Sequence, residues 1–321
     1  MARSPLRPMT THRILVPQHI VRADIGPGMR KDNDFTARLE PDLPPRPGAI
    51  ALFRPRTTEL ARLAPRAETI QVVPAATEPR HDPLKVWESL GKTVLNPDFL
   101  AGNGVFAHAE QNPVTAQFDI LRTRVWQAMQ ERGWKRIAVT SPTHGCGKSL
   151  VAANLALALA RLPGCRTVLM DLELRHPDLA RLFGVQCGPL HEVLTGEQPL
   201  ESHLRRVGDR LALALNGEAV AAGSETLLDP RSAGTLKAIV DHLDPSAVVI
   251  DLPHALGNDD VISVLPQVDC VLLIADATRT SAEDVRACER LFEGRVPLMG
   301  VVLNRADDGR RRRYRYGKGK R

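Results

Sequence analysis

The sequence lacks the features of membrane-spanning and disulfide-linked proteins. Its longest clear apolar run, residues 151–160, is well short of the roughly 18 to 20 residues that a membrane helix needs. Arg3 and Arg7 are followed by no uninterrupted apolar stretch before Pro17, so we expect no secretory signal. The five cysteines are odd in number and form no C-x-x-C pair, which argues against a disulfide framework and against a zinc site. We therefore expect reduced, mostly buried thiols, in a protein that is cytoplasmic or held at a membrane by something else.

Aromatic residues are also scarce, at 4% of the chain, and the charge is uneven. Residues 1–100 carry 15 Lys and Arg against 11 Asp and Glu, residues 101–309 carry 20 against 26, and residues 310–321 carry 8 against none. A nucleic-acid site would depend on the basic ends alone, because no aromatic residues are interleaved with the basic ones as stacking partners for bases. We expect no nucleic-acid partner.

Proline divides the chain, since 14 of its 25 prolines fall in the first 100 residues. Residues 1–111 are therefore predicted to be a proline-rich, largely disordered arm with a short helix near 84–100. Residues 112–308 are predicted to form the folded domain. Residues 309–321 are predicted to be a basic tail that carries both tyrosines of the protein.

From about residue 112, short apolar runs alternate with helical stretches. One helical face is formed by Phe118, Leu121, Val125 and Met129, and a later helix has Ser281 as its N-cap residue, with Asp284 three residues on. Near-continuous apolar strands that alternate with helices indicate an α/β fold, with a mostly parallel sheet covered by helices on both faces.

A glycine-rich segment, THGCGKS, joins the first of these strands to a helix that begins near Lys148. Gly145 and Gly147 let backbone N–H groups turn inward around phosphate oxygens, Lys148 supplies a positive charge, and Ser149 offers a hydroxyl to Mg²⁺. Pro142 stands where such phosphate loops (P-loops) usually begin with glycine. The alternative is a glycine-rich turn with an incidental lysine. The predicted phosphate-binding residues are Thr143, His144, Gly145, Cys146, Gly147, Lys148, Ser149 and Leu150.

Acidic residues follow two later strands. Asp171 and Glu173 come just after the run TVLM, and Asp251 follows AVVI. Ligands of parallel α/β sheets bind at the carboxyl ends of the strands, so these carboxylates are expected to face a Mg²⁺ that Ser149, Asp171 and Asp251 hold directly or through water. The alternative for either aspartate is a helix cap or a turn.

These motifs resemble those of the bacterial tyrosine kinases of capsular and exopolysaccharide synthesis, in the form without a fused transmembrane activator. The resemblance covers the chain from about residue 112 to its end. SPTHGCGKS is similar to their Walker A motif, VLMDLELRHP to their Walker A′ motif, VVIDLPH to their Walker B motif, and GVVLNRAD with a tyrosine-bearing tail to their C-terminus. In the wider group of MinD- and ParA-like P-loop ATPases a signature lysine lies early in the loop, and Thr143 occupies that place here, which favours the kinase branch.

The resemblance implies an ATP- and Mg²⁺-dependent kinase. Lys148, Asp171, Glu173 and Asp251 would be its catalytic residues, and Asn304 would lie near the adenine. The alternative for Asn304 is a turn residue that ends a strand. Asp171 would help to activate the incoming tyrosine hydroxyl. The resemblance also implies a transmembrane chain-length regulator of polysaccharide export as activating partner, and so a peripheral position at the inner face of the cell membrane.

Two departures from the family pattern stand out. Glu173 replaces the second aspartate of the D-x-D pattern and is one methylene longer. The oligomer-forming helix motif E-x-x-R-x-x-R is represented only by Arg122, because Ala116 and Asp119 stand at its other two positions.

The tail suggests how the kinase would find its acceptor. We hypothesise that its eight positive charges draw it to the acidic domain of a neighbouring molecule, where Tyr314 and Tyr316 are phosphorylated within a homo-oligomer. The alternative for the tail is a solvated basic segment. For the whole protein the alternatives are an ATPase switch without kinase activity and an ATP-binding scaffold of polysaccharide export.

Overall fold

The computed structural model describes residues 14–15, 82–106, 113–257 and 259–306. Within these residues nine strands form one sheet in the order β1-β9-β8-β3-β7-β4-β6-β5-β2. The strands are β1 Ile14–Leu15, β2 Gly91–Lys92, β3 Arg136–Ser141, β4 Thr167–Asp171, β5 Arg205–Val207, β6 Leu211–Ala214, β7 Ala247–His254, β8 Cys270–Asp276 and β9 Leu298–Asn304. All neighbouring strands are parallel except β1 with β9 and β5 with β6. The predicted α/β fold with a mostly parallel sheet is confirmed.

Helices cover both faces of this sheet. They are α1 Pro83–Ser89, α2 Pro97–Gly102, α3 Pro113–Arg132, α4 Lys148–Ala160, α5 Leu179–Phe183, α6 Leu190–Leu194, α7 Leu200–His203, α8 Gly223–Leu228, α9 Pro230–Leu243, α10 Asp260–Val264 and α11 Ala282–Phe292. One apolar cluster joins α3 and α4 to the first face, and a second joins α1, α6, α9 and α11 to the other. Each face of the sheet therefore has its own core.

The helix that follows the glycine loop, α4, is buried along almost its whole length. Most of its alanine and leucine side chains are buried between the sheet and α3, which a helix with apolar residues on all sides requires. The predicted inner face of α3 is confirmed, since Phe118, Leu121, Val125 and Met129 are all at most 2% exposed. The N-cap of α11 is also confirmed, because Ser281 and Asp284 form a complete capping box.

Residues 82–106, which the sequence assigns to the arm, are part of this fold. Trp87 is buried and its indole N–H donates to the carbonyl of Asp209 at 2.8 Å, while β2 pairs in parallel with β5. On α4, the Asn154 side chain donates to the carbonyl of Gly104 at 3.0 Å and accepts from the N–H of Phe106. The segment thus supports α4 directly behind the glycine loop.

Apart from the two residues of β1, the rest of the predicted arm and the tail, with Tyr314 and Tyr316, lie outside the described residues. Among the helices of the described part, none combines the length and the apolar character that crossing a membrane requires.

Candidate functional site

The glycine loop has the backbone geometry of a phosphate cradle. Gly145 and Gly147 have φ angles of 81° and 89°, which residues with a side chain rarely adopt. A Cβ on Gly147 would lie 2.4 Å from Asn304 Nδ2, so glycine is also required for space. Helix α4 begins at Lys148, as predicted, and no side chain caps its first N–H groups. These N–H groups are free to bind an anion.

Pro142 fits at the loop entrance because the contact there is made by its carbonyl group. The N–H of Leu256 donates to the Pro142 carbonyl at 3.1 Å, and the N–H of Ala255 donates to the Ser141 carbonyl at 2.7 Å. Proline retains this acceptor, and the first positions of the loop are fixed to the chain that leaves β7. The missing first glycine therefore leaves the phosphate-facing part of the loop unchanged.

The predicted acidic residues meet at Lys148. Asp171 and Asp251 are directly opposite each other on β4 and β7, and both are fully buried. Lys148 Nζ lies 3.1 Å from Glu173 Oε2 and 3.7 Å from Asp251 Oδ1. One detail differs from the sequence prediction: β7 continues to His254, so Asp251 lies within the strand rather than after it.

Burial controls the charge of this cluster. It raises the pKa of Asp251 to about 6, and together with the nearby Asp251 carboxylate it raises the pKa of Asp171 well above its usual value. Although burial opposes it, attraction to Asp251 and Glu173 keeps the pKa of Lys148 above its usual value. The lysine is therefore a permanent cation, whereas the two aspartates hold protons more readily than exposed carboxyls do.

The cluster contains unused oxygen ligands. Asp171 Oδ2 and both carboxylate oxygens of Asp251 are buried without a hydrogen-bond partner, and Ser149 lies next to Lys148 at the start of α4. Hard oxygen atoms are the ligands that Mg²⁺ prefers, and Mg²⁺ commonly keeps several waters. No group of three or more His, Cys, Asp or Glu among the described residues is placed to hold a metal by itself. The residues thus fit a Mg²⁺ that shares its coordination with phosphate and water.

The opposite side of the loop is supported by residues that the sequence did not single out, apart from Asn304. Asn304 Nδ2 donates to the Cys146 carbonyl at 2.8 Å, and Arg279 Nη2 donates to the Gly145 carbonyl at 3.1 Å. Buried Asp276 in turn accepts hydrogen bonds from Arg279 and Arg305. Burial opposes the ionisation of Asp276, but hydrogen bonds from Thr278 and the two arginines lower its pKa to about 2.

The other predicted loop residues take different positions. Thr143 and His144 are exposed, Cys146 is buried with its thiol donating to the Thr143 carbonyl, and Leu150 packs against the core.

Beyond the loop, Arg175 anchors the segment that follows Glu173 through hydrogen bonds of 2.8 and 3.1 Å to the buried carboxylate of Asp260. No motif in the sequence pointed to that contact, because its partners are 85 residues apart.

Arg122, the one remaining residue of the oligomer motif on α3, is occupied within the chain. Its guanidinium lies 3.0 Å from Asp119, which also accepts from Arg161. The aspartate that replaces the first arginine of the motif thus provides an internal partner for its last arginine.

The comparisons with known proteins agree with this geometry. A family model described as "ParA: NUBPL iron-transfer P-loop NTPase" matches residues 134–307. The putative tyrosine-protein kinase EpsB of Ralstonia solanacearum is 33% identical over 204 residues, which are 63% of this chain and 26% of that protein. The iron-sulfur cluster carrier protein of Aquifex aeolicus is 29% identical over 200 residues, 57% of this chain and 52% of its own. The kinase domain of VpsO superposes with a TM-score of 0.54 at 26% identity and covers 60% of this chain and 96% of that domain. Of the full length of the kinase EpsB, the matched part of this chain spans only about a quarter.

Proposed function

The chain belongs to the ParA family of P-loop NTPases and is related within it to the bacterial tyrosine kinases of exopolysaccharide synthesis, and we propose that it is an ATP-dependent protein tyrosine autokinase. The observation that carries the proposal is the buried cluster in which Lys148, at the uncapped start of α4, meets Glu173 and Asp251. A cationic P-loop facing buried carboxylates is what phosphoryl transfer needs, since the protein mainly aligns the reactants and stabilises charge.

In this proposal the N–H groups of the loop and Lys148 bind the β- and γ-phosphates of ATP. Ser149, Asp171 and Asp251 hold Mg²⁺, which would neutralise charge on the phosphate oxygens. Asp171, which lies directly opposite Asp251 on the neighbouring strand, accepts the proton of the tyrosine hydroxyl. The bond between the tyrosine oxygen and the γ-phosphorus forms as the bond to the β,γ-bridging oxygen breaks, and ADP leaves.

The acceptors we propose are Tyr314 and Tyr316 of a neighbouring molecule. They are the only tyrosines of the chain, and eight basic residues surround them, whereas residues 101–309 are acidic overall. Each phosphate would add roughly −1.5 to −2 charges and weaken the attraction, so phosphorylation would release the tail.

Because Arg122 is already paired within its own chain, we propose that the homo-oligomer depends on this tail contact rather than on α3. As a further partner we propose a transmembrane regulator of polysaccharide export, which would hold this chain at the inner face of the cell membrane.

One observation favours a second candidate, an ATPase switch or ATP-binding scaffold without kinase activity. Glu173 stands where the kinases have aspartate, and its carboxylate contacts the lysine that would bind phosphate.

The iron-transfer description of the family model has less support in this chain. All five cysteines are free, four of them are buried, and the described residues include no metal-binding group of three or more ligands.

Mass spectrometry of the tail distinguishes these functions. The full chain is incubated with Mg²⁺ and ATP, and its C-terminal peptides are compared with those of Lys148→Met and Asp171→Asn variants. The kinase predicts phosphotyrosine at Tyr314 or Tyr316 in the unmutated chain alone. Release of ADP without phosphotyrosine would select the switch, and binding of ATP without turnover would select the scaffold.

A further inference from the structure

A pair of histidines lies at the mouth of the site on the side of the acidic cluster. His144 belongs to the glycine loop and His254 ends β7, three residues after Asp251. Their ring centroids are 6.3 Å apart and the ring planes are nearly perpendicular, at 86°. His144 is exposed and His254 is half-buried, so the pair forms a rim that is open to solvent. Neither ring has a role in the nucleotide binding proposed above for the loop N–H groups and Lys148.

The position of His254 is fixed relative to the phosphate loop. The residue before it, Pro253, accepts a hydrogen bond from the Thr140 hydroxyl, and the residue after it, Ala255, donates to the Ser141 carbonyl. His254 itself is opposite Ser141 in the pairing of β3 with β7. A ring held in this way can orient a group that approaches the bound phosphates.

The histidine rim is on the side where the terminal phosphate is expected. The far side of the loop, toward β8 and β9, is covered by Arg279 and Asn304, whereas Lys148 and the carboxylates are on the near side. Burial lowers the pKa of His254, Glu173 opposes this, and His144, Lys148 and His176 lower the pKa further. The ring is therefore neutral near pH 7, with one nitrogen able to accept a hydrogen bond.

We propose that His254, with His144 as the outer wall, binds the incoming phosphoryl acceptor and positions its hydroxyl. The unprotonated nitrogen of His254 accepts the hydrogen bond of a phenolic hydroxyl, and the exposed ring of His144 gives the aromatic side chain a surface to pack against. This hydrogen bond holds the acceptor oxygen toward the terminal phosphate in the complex before transfer, and it breaks when the hydroxyl gives its proton to Asp171. This inference depends on the proposed kinase function and adds the recognition of tyrosine to it.

The test measures acceptor binding without turnover. A full-length chain with Tyr314→Phe and Tyr316→Phe is loaded with Mg²⁺ and a non-hydrolysable ATP analogue, and a fluorescent peptide of residues 310–321 is titrated by anisotropy. A second peptide carries phenylalanine in place of both tyrosines. We expect His254→Ala to weaken binding of the tyrosine peptide about tenfold and to leave the phenylalanine peptide within twofold, because only the tyrosine peptide has the hydroxyl.

Three controls make the result specific. His254→Gln, which keeps a hydrogen-bonding side chain, is expected to retain most of the affinity for the tyrosine peptide. His242→Ala changes an exposed histidine on α9 and is expected to have no effect. Affinity for a fluorescent ADP should be the same in all variants. Equal affinity for both peptides in the unmutated chain, or an equal loss for both in His254→Ala, would overturn the inference. Absence of nucleotide binding would instead contradict the proposed function.

Discussion

Lys148 and Glu173 form a buried ion pair with a distance of 3.1 Å between Nζ and Oε2. The lysine is the residue that a P-loop uses to bind phosphate, so in the free protein its charge is already neutralised by the chain itself. Aspartate, the residue at this position in the related kinases, is one methylene shorter. The extra methylene of Glu173 therefore lets its carboxylate reach Lys148. A nucleotide phosphate has to compete with Glu173 for Lys148.

Removing the Glu173 charge should strengthen nucleotide binding when no metal is present. We expect Glu173→Gln to raise the affinity for metal-free fluorescent ATP about tenfold, since a hydrogen bond between charged groups contributes about 1.5 to 3 kcal/mol. Glu173→Asp should have a similar effect, because a carboxylate one methylene shorter is expected to fall short of Lys148. Titration in EDTA measures both affinities, and unchanged or weaker binding in both variants would show that the ion pair does not compete with nucleotide.

The burial of Asp251 predicts that this residue destabilises the fold at neutral pH. Its folded pKa of about 6 is above the unfolded value of about 3.9, so the folded state binds more protons between these pH values, and stability falls as the pH rises through that window. Asp251→Asn should therefore raise the free energy of unfolding above pH 6 by at most about 3 kcal/mol. The gain should disappear near pH 4.

Thermal unfolding of both proteins without metal or nucleotide, at pH 4.5 and pH 7.5, measures this difference. We expect the Asp251→Asn variant to melt several degrees higher at pH 7.5, while nucleotide turnover is lost. A variant that is less stable at pH 7.5 would show that Lys148 stabilises the ionised carboxylate by more than burial costs.

Much of the fold was predictable from sequence because each strand is a short apolar run with turn residues at its ends. β4 begins with the predicted run TVLM and β7 with the run AVVI, and Lys148 begins its helix as the loop pattern requires. The approach of Asp171 and Asp251 followed from one rule, that carboxyl ends of parallel strands share an edge. These features depend on local sequence and on general topology.

The support of the loop was not predictable, because it depends on side chains that are distant in sequence. Arg279 and Gly145 are 134 residues apart, and nothing local to either indicates the contact. A short helix near 84–100 was predicted, but not that residues 82–106 are part of the fold, since their prolines start two helices, α1 and α2, rather than continue a disordered arm. Proline content alone does not separate helix starts from disorder.

Pro142 should affect stability more than function. We expect Pro142→Gly, which gives the loop its usual first glycine, to lower the free energy of unfolding by about 0.4 to 1 kcal/mol through the greater freedom of the unfolded chain. Nucleotide affinity should stay within twofold, because the carbonyl that accepts from Leu256 remains. Gly147→Ala provides the contrast, since its Cβ would clash with Asn304 and should abolish binding. If Pro142→Gly also lost nucleotide binding, the proline ring itself would be part of the phosphate site.

Electrostatic delivery of the tail predicts that phosphorylation between molecules depends on salt. With a Lys148→Met chain as acceptor and an unmutated chain as kinase, the rate should fall markedly between about 0.05 and 0.3 M salt, because the Debye length shrinks from about 14 Å to about 6 Å. Changing Arg311, Arg312 and Arg313 of the acceptor to glutamine should lower the rate at low salt and flatten this dependence, since fewer charges are then screened. ATP hydrolysis by the unmutated chain alone, followed over the same series, separates screening of the tail from an effect of salt on the active site. A transfer rate that is the same at every salt concentration would leave tail recognition to direct contacts such as the one proposed for His254, and the basic residues would then serve another purpose.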